Sequence, residues 1–554
     1  MKIRKTLALI LACVMMVAVI AGCADDTPPA GNGGTGDGGT GGGDSGDGGT
    51  ASAPATPPDE QEHFSFVFYW DYDWADLSPI WGNDLVSAYL RDRFNVTMTM
   101  EKPGTTAEEQ IGLFFAMDEF PDVMMLERGS VYQQLIEQGK LVALDDFFPG
   151  SQYVELINAG TINMSRADDG KVYGLLNWAT TEPTGNGGWV VNQNIWEEMG
   201  SPPLETMDQM YAYLKAVGDA NLTVDGMSVI PMQFPAGGEE MVTQTLASFG
   251  IRRISGVAEV NGELKLYYTA PGAEDAFMWL NKLWTENLIN SDAFAETSEQ
   301  VREKLAQGRV AVYCGNDITS EVATVVRPVF REHNPDNDYV MITPPKAPGV
   351  AHVWNSVWYS LGWNVIVITK DAAEPRRIFE LIDFVHSNEG SRLVTYGPQG
   401  HLWSELDSNG FPILTRALND LSPEEADELG ANHRWTLLGN APYADLSKVA
   451  INERLPADEQ DWVTTNQVNF TWRHSMFADA YLNIDTNPQE PEGIAFSSFE
   501  LQDSIFIPRI VTASNEAAAR DAFQSAIETI YGQNFDIVEA FKTAIFQANL
   551  ALLS

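Results

Sequence analysis

Cysteine, histidine and positive charge are all scarce in this chain, and each shortage removes a class of function. Only three cysteines occur in 554 residues, and two of them, Cys13 and Cys23, fall near the N-terminus. Cys314, in AVYCGND, is alone in the body of the chain, which leaves no internal disulfide and no thiolate metal cluster there. It ends an alternating apolar run, the place of a buried structural residue rather than a nucleophile. The seven histidines include His352, His401, His433 and His474, scattered with no local partner pattern and read as structural. No HExxH suggests a zinc hydrolase, and no GxSxG suggests an esterase. Nor does GxGxxG open a helix or GxxxxGK[ST] offer a phosphate loop. Lysine and arginine total 33 against 77 aspartates and glutamates, a net charge of −44. Such a chain repels nucleic acid and has no polybasic surface to hold it on a membrane.

What is present begins with MKIRK, a positive head, followed by an apolar run over Leu7–Ile20 that ends in the small residues Ala21 and Gly22. The order is that of an export signal, and the run is too short to span a bilayer comfortably. A plain secretory signal needs no cysteine at its end. Ile20-Ala21-Gly22-Cys23 resembles the lipobox of bacterial lipoproteins, which implies a signal peptide over 1–22 and a diacylglyceryl group on the Cys23 sulfur. The alternatives are a transmembrane anchor, or a chance cysteine in a signal peptide. Residues 23–62 then form a Gly, Asp, Thr and Pro tract with too little apolar surface to offset the entropy of ordering it. As a Gly-rich coil it would span roughly 35 Å, enough to hold a folded body clear of a membrane surface.

The folded part opens on FSFVFYW, a strand over Phe64–Trp70 by its aromatic and β-branched density. Leu85, Tyr89, Leu90 and Phe94 have helical spacing, and Val96–Met100 alternates as a strand. A helix over Thr105–Met117 leads to a strand at Val123–Leu126, giving the βαβ order of a layered α/β lobe. The pattern recurs with strands at Val172–Trp178 and Trp189–Asn192. Helices follow in LETMDQMYAYLKAVGDA, capped by Thr206, and in AEDAFMWLNKLWTENLI. SEQVREKLAQGRVAVYCGN reads as a helix into a strand. SLGWNVIVITKD reads as a strand before the helix of EPRRIFELIDFVHSNEG, and the stretch Phe535–Leu552 is again helical. No tandem repeat and no second membrane segment is visible.

These stretches resemble a known family. NDLVSAYLRDRFNVTMTMEK, LFFAMDEFPDVMML and GKLVALDDFF, then VNQNIWEEMG, ETMDQMYAYLKA, LWTENLINSDAF, LAQGRVAVY, FREHNPDNDYV and ITKDAAEPRRIFELIDFVHSNEGSRLVTYGPQGHLW, are similar in order and spacing to extracellular solute-binding lipoproteins. The branch is the large carbohydrate type, related to LplA-like proteins, that serves bacterial ABC importers. The resemblance implies a two-lobed α/β fold of the type II periplasmic-binding-protein kind, with added C-terminal helices and a ligand cleft between the lobes. Lobe one would take 64–178 and return over 360–425. Lobe two would take 179–359 and most of the helical part over 426–554. A membrane permease for oligosaccharides is the implied partner, and the protein is expected as a monomer on the outer face of a Gram-positive cytoplasmic membrane. No cofactor is expected.

The chemistry must still decide between binding and turnover. Glycosidases need two carboxylates about 5–9.5 Å apart, and with so many acidic residues the presence of a pair decides nothing. The run N-P-D-N-D-Y-V-M-I-T-P-P from Asn334 lacks the central Gly and final Glu of a calcium loop. Asp336 and Asp338 are therefore read as a surface turn, and no metal site is expected. Aromatic residues carry the case for binding, because a sugar offers an apolar C–H face to a ring and a rim of hydroxyls to polar side chains. In α/β lobes ligands meet the carboxyl ends of strands. That places Trp70, Asp71, Tyr72 and Trp74 at a cleft edge, with Trp178, Glu182 and Asn186 beyond a later strand and Asn316 and Asp317 after the Cys314 strand. Trp354, Asn355, Trp358 and Tyr359 precede the strand that returns to lobe one. His401 with Trp403, Trp435, and Trp472 with Arg473 are further candidates. A peptide is the rival ligand, held through main-chain bonds and charged ends, and a secreted glycoside hydrolase is the enzymatic alternative.

Overall fold

A computed structural model describes residues 62–72, 81–104, 106–157, 159–437 and 439–553. The signal segment, Cys23, the glycine-rich tract and Trp74 lie outside these residues, as does the side chain of Trp435.

Numbered in chain order, the strands of the two main sheets and of the connection between them are β1 (Phe64–Trp70), β2 (Val96–Glu101), β3 (Val123–Leu126), β4 (Gly174–Asn177), β5 (Gly188–Asn192), β6 (Ile230–Gln233), β7 (Val310–Gly315), β8 (Tyr339–Ile342), β9 (Ser356–Trp358), β10 (Asn364–Ile368) and β11 (Ser475–Phe477). The first sheet has the order β2-β1-β3-β10-β4 and the second the order β8-β5-β7-β6. In the first, β1 runs parallel to β2 and β3, while β10 returns antiparallel between β3 and β4. In the second, β7 is parallel to β6 and antiparallel to β5. The architecture is a two-lobed α/β fold of the type II periplasmic-binding-protein kind, with a helical C-terminal addition.

The local reasons are readable in the chain. Helix α1 (Leu85–Phe94) starts where Asp84 accepts the Ser87 backbone N–H at 2.8 Å and ends where Asn95 turns left-handed, with Arg91 and Arg93 in its last turn. Helix α2 (Ala107–Met117) begins later than the Thr105 expected from spacing, because Thr106 serves as its N-cap. β4 is shorter than the expected Val172–Trp178, since Trp178 itself adopts φ +59° and breaks the strand. SLGWNVIVITKD likewise yields only β10. Gly362 has φ +68°, and a Cβ there would lie 2.3 Å from the Asn177 carbonyl oxygen, so the chain must turn before Asn364. The helix expected over EPRRIFELIDFVHSNEG is broken at Ser387, which caps the following helix by accepting the Gly390 N–H at 3.0 Å.

Each sheet has its own core. Phe66, Phe68, Val123, Met125, Leu175, Ile366 and Val367 centre the first, with Ile378, Leu381 and Ile382 packed over it. In the second, alternation along β5 sends Trp189 and Val191 to one core and Val190 to another, so the sheet is covered on both faces. The larger of those cores is completed from far along the chain. Helices α3 (Pro491–Val511), α4 (Glu516–Tyr531) and α5 (Phe535–Leu553) deliver Phe499, Ile507, Ile510, Phe523, Phe535 and Phe546 to it. Cys314 is buried in this core, and burial lifts its thiol pKa well above the ordinary range. Among the described residues no helix is long and apolar enough to cross a membrane.

Candidate functional site

The carboxyl ends of β6 and β7 frame a cavity of about 580 Å³ on lobe two, walled on its far side by α3. After β6 the chain turns through Gly237 and Gly238 into the helix Glu239–Ser248. Gly238 adopts φ +81°, and a Cβ there would meet the Phe294 ring at 2.4 Å. The first turn of that helix then braces β7: the Glu240 carboxylate accepts the Asn316 N–H at 2.6 Å. Burial raises the Glu240 pKa, the Asn316 bond opposes the rise, and the carboxylates of Glu321, Asp317 and Glu239 add to it. Gln244 reaches from the next turn to the Asn316 side chain at 2.6 Å and to the Asn355 carbonyl at 3.1 Å. Inside the wall, Arg253 pairs with Glu239 and with Asp503, both at 2.9 Å. Asp503 also accepts the hydroxyls of Tyr267 at 2.6 Å and Tyr268 at 2.9 Å. Burial works against the Arg253 charge, and Tyr267, Asp503 and Glu239 override it, so its pKa stands above the ordinary value. Phe496, Arg252 and Asp485 complete the lining that matters chemically.

Lobe one offers a shelf at its own strand ends. Tyr72, just past β1, lies 4.8 Å from the Trp363 ring and 5.9 Å from the Trp70 ring, and Asn364 donates to its hydroxyl at 3.4 Å. Asp71 accepts the Tyr69 hydroxyl at 2.9 Å; burial raises its pKa, the Tyr69 bond lowers it, and Glu127 raises it further. Arg128, beyond β3, donates to the carbonyls of Leu361 at 2.8 Å and Gly362 at 3.0 Å, clamping the returning chain.

Between the lobes run β9 and β11, paired in parallel with Ser356 opposite Ser475 and Trp358 opposite Phe477. Trp358 and Phe477 lie 4.7 Å apart, and His352 stacks on His474 at 4.7 Å with Trp354 at 4.1 Å beside it. Trp354 is 36% exposed and Phe477 44%, large values for rings with no requirement to face solvent. Asn186, on another connecting segment, accepts from Thr319 at 2.5 Å and Gln467 at 2.8 Å.

The expected site residues fall into distinct groups. Asp71, Tyr72, Trp178, Asn186, Asn316, Asp317, Trp354, Trp358 and Tyr359 all sit at strand ends or on the connecting segments. Trp70, the last residue of β1, is also at a strand end but faces inward: it is fully buried in the core of lobe one, because β1 is a central strand whose last residues are covered on both sides. Asn355 is fully buried too, and its amide is used internally, donating to Gln244 at 2.5 Å. Trp403 belongs to a satellite core with Tyr396, Leu402 and Leu429, its Nε1–H bonded to the Gly397 carbonyl at 3.0 Å. His401 next to it is exposed, as is Glu182, whose backbone closes a turn on Thr180. Trp472 is half-buried with Lys448 Nζ 5.3 Å from its ring centre, and Arg473 is exposed with Nε donating to the Val468 carbonyl at 3.1 Å. His433 is structural, buried with Nε2 3.0 Å from the Asp84 carboxylate. Residues that sequence reasoning did not select are Trp363, Arg128, Arg252, Phe496 and Asp503. A signal existed for one of them, since Arg252-Arg253 is a rare adjacent cationic pair in an acidic chain. Among the described residues no three His, Cys, Asp or Glu side chains converge as metal ligands.

Two α/β lobes with separate cores, crossed by paired strands and carrying polar and aromatic groups at their strand ends, define a two-lobed binding-protein architecture. Residues 116–391, from the end of α2 through lobe two and into the returning helices, match the family described as bacterial extracellular solute-binding protein. No curated protein matches the chain by sequence. Among solved structures, the Streptococcus pneumoniae substrate-binding protein FusA in complex with kestose superposes with a TM-score of 0.64 at 15% identity, over 88% of this chain and 100% of that one. A human-milk-oligosaccharide (HMO)-binding solute-binding protein from Bifidobacterium longum infantis gives 0.64 at 14% identity, over 88% of this chain and 99% of that one. The alginate-binding protein AlgQ2 gives 0.59 at 13% identity, over 87% and 98%. At these identities the likeness is one of fold.

Proposed function

We propose that the protein is the extracellular solute-binding component of an ABC importer. It captures an oligosaccharide reversibly between its lobes, without turnover, and delivers it to a membrane permease while held to the cell surface by lipid on Cys23. The observation that carries this reading is the lobe-two cavity at the carboxyl ends of β6 and β7, lined by planar polar groups (Asn316, Arg252, Asp485) and by the Phe496 ring. That combination suits a sugar, whose C–H face packs on a ring while its hydroxyls reach fixed donors and acceptors. The three solved relatives support it, since their names record kestose, milk oligosaccharides and alginate. A ligand touching both the cavity and the Tyr72–Trp363 shelf would favour a closed arrangement of the lobes by its differential affinity for that state.

The test is thermal-shift screening of the untethered body against oligosaccharide and peptide libraries, with chromatography of each hit after incubation. A stabilising oligosaccharide recovered intact is the expected result. Stabilisation by peptides alone would replace the ligand class, and a sugar recovered cleaved would end the non-catalytic reading.

A further inference from the structure

Arg252 and Arg253 are neighbours in sequence and opposites in environment. Arg253 is neutralised by Glu239 and Asp503. Arg252 has no carboxylate within ion-pair distance among the described residues, although the chain carries 77 acidic residues against 33 basic ones. Its Nη1 donates to the main-chain carbonyls of Asn355 at 3.1 Å and Trp354 at 3.5 Å, the last residues before β9. Its Nε is buried and has no hydrogen-bond partner among the described residues. Nη2 makes no hydrogen bond among the described residues, and the side chain lines the cavity. Nε and Nη2 form one edge of the guanidinium, the edge that pairs with a carboxylate, and with Nε enclosed it is Nη2 that is left to meet a ligand in the cavity. One edge of Arg252 is therefore spent on positioning and the other is unspent.

We propose that Arg252 determines the specificity of this cavity, and that its ligand is an oligosaccharide bearing a carboxylate, a uronic-acid-containing glycan. The proposal rests on the oligosaccharide reading above and narrows it. Glu239 and Asp503 are engaged by Arg253, and Asp485 and Glu500 act on the buried ammonium of Lys542. Arg252 alone has no counter-charge. Burial pushes its pKa down to about 10, Arg253 pushes the same way, and only the phenols of Tyr359 and Tyr481 oppose them. A carboxylate on the ligand would supply the missing partner, while Asp485 and Glu500 would disfavour a second anionic group nearby. Because Arg252 is held by carbonyls of the segment entering β9, its contact with the ligand would also join lobe two to the connection between the lobes.

The experiment is isothermal titration of the untethered protein with short acidic oligosaccharides (oligogalacturonate, oligomannuronate and oligoglucuronate), each paired with its carboxyl-reduced counterpart of identical linkage, and with a sulfated neutral oligosaccharide. At least one uronate oligomer should bind, and its carboxyl-reduced form should bind roughly ten- to hundredfold more weakly, the loss of a charge-assisted pair. Arg252→Gln should remove that preference, so that a uronate oligomer and its reduced counterpart bind with equal affinity, and Arg252→Lys should restore part of it. The comparison between paired ligands on the unaltered protein needs no variant to fold. Equal or tighter binding of the reduced sugars would overturn the proposal and leave oligosaccharide capture standing. Preference for the sulfated sugar over every uronate would overturn the carboxylate assignment. Binding of no sugar of either kind would overturn this proposal together with the reading it rests on.

Discussion

Asp479 and Ser360 are joined twice: the aspartate accepts the Ser360 backbone N–H at 2.7 Å and its hydroxyl through the second oxygen. Both residues are buried, at 1% and 4% exposure. Ser360 leaves β9 toward the core of lobe one, and Asp479 lies just past β11, ahead of the C-terminal helices. One carboxylate therefore pins two chain crossings at the point where they separate. Asp479→Ala strands the buried Ser360 N–H and leaves the Ser360 hydroxyl with Thr161 at 2.9 Å, and a buried group left unsatisfied costs about 1–3 kcal/mol. A destabilisation of about 2–4 kcal/mol is expected in urea unfolding followed by tryptophan fluorescence. Asp479→Asn keeps an acceptor and should lose less; equal midpoints for the wild type and Asp479→Ala would refute the role.

The Asp503 cluster should be still less forgiving. Replacing Asp503 with Ala leaves Arg253, whose side chain is 9% exposed, with only the exposed Glu239 as its carboxylate partner. Breaking a buried pair from one side costs roughly 3–5 kcal/mol. A thermal melt within a degree of wild type would show that the network is dispensable.

Phe496 and Trp403 separate binding from packing. Phe496→Ala removes the ring that lines the cavity and should weaken the best oligosaccharide ligand by about thirtyfold, near 2 kcal/mol. Trp403→Ala empties a satellite core and should cost about 3–5 kcal/mol of stability with no change in Kd. The reverse pattern, with Trp403→Ala abolishing binding in a folded protein, would return that tryptophan to the site.

Lys542 makes a pH prediction. It is fully buried, bonded to the Ser255 carbonyl at 3.0 Å and 3.9 Å from the Phe496 ring centre. Burial pushes its pKa down to about 8, partly opposed by Asp485 and Glu500. The unfolded chain keeps this proton to higher pH, so between about pH 8 and 10 it holds more protons than the folded one. Stability contributed at this site therefore rises with pH across that window. The unfolding free energy of the wild type minus that of Lys542→Met should climb by on the order of 2 kcal/mol from pH 7.5 to 10. A flat or falling difference would contradict the burial assigned to the ammonium.

Cys23→Ala tests the tether. The full-length variant should leave the membrane fraction and appear in detergent-free supernatant. Unchanged retention in the membrane pellet would rule out lipid on that sulfur as the anchor.

The fold class was legible in the chain because its causes are local. Phe64–Trp70 declares a strand through its own side chains, the spacing of Leu85, Tyr89, Leu90 and Phe94 marks the helix that follows, and alternation marks β7 as buried. Repeating strand and helix then restricts the architecture to layered α/β lobes. Placement at strand ends was legible for Asp71, Tyr72, Asn316 and Trp354 on the same grounds. What sequence could not decide was which way a side chain at such an end faces and what it meets there. Trp70 and Tyr72 are two residues apart, yet one lies in the core and the other shares a shelf with Trp363. Arg253 finds Asp503 across 250 residues, and Arg252 finds the Asn355 carbonyl across 103. Periodicity reports which positions share a face over a few turns or strand steps. Partners at such separations are chosen when whole lobes pack, so the charge left uncompensated in the cavity was a decision of the tertiary structure.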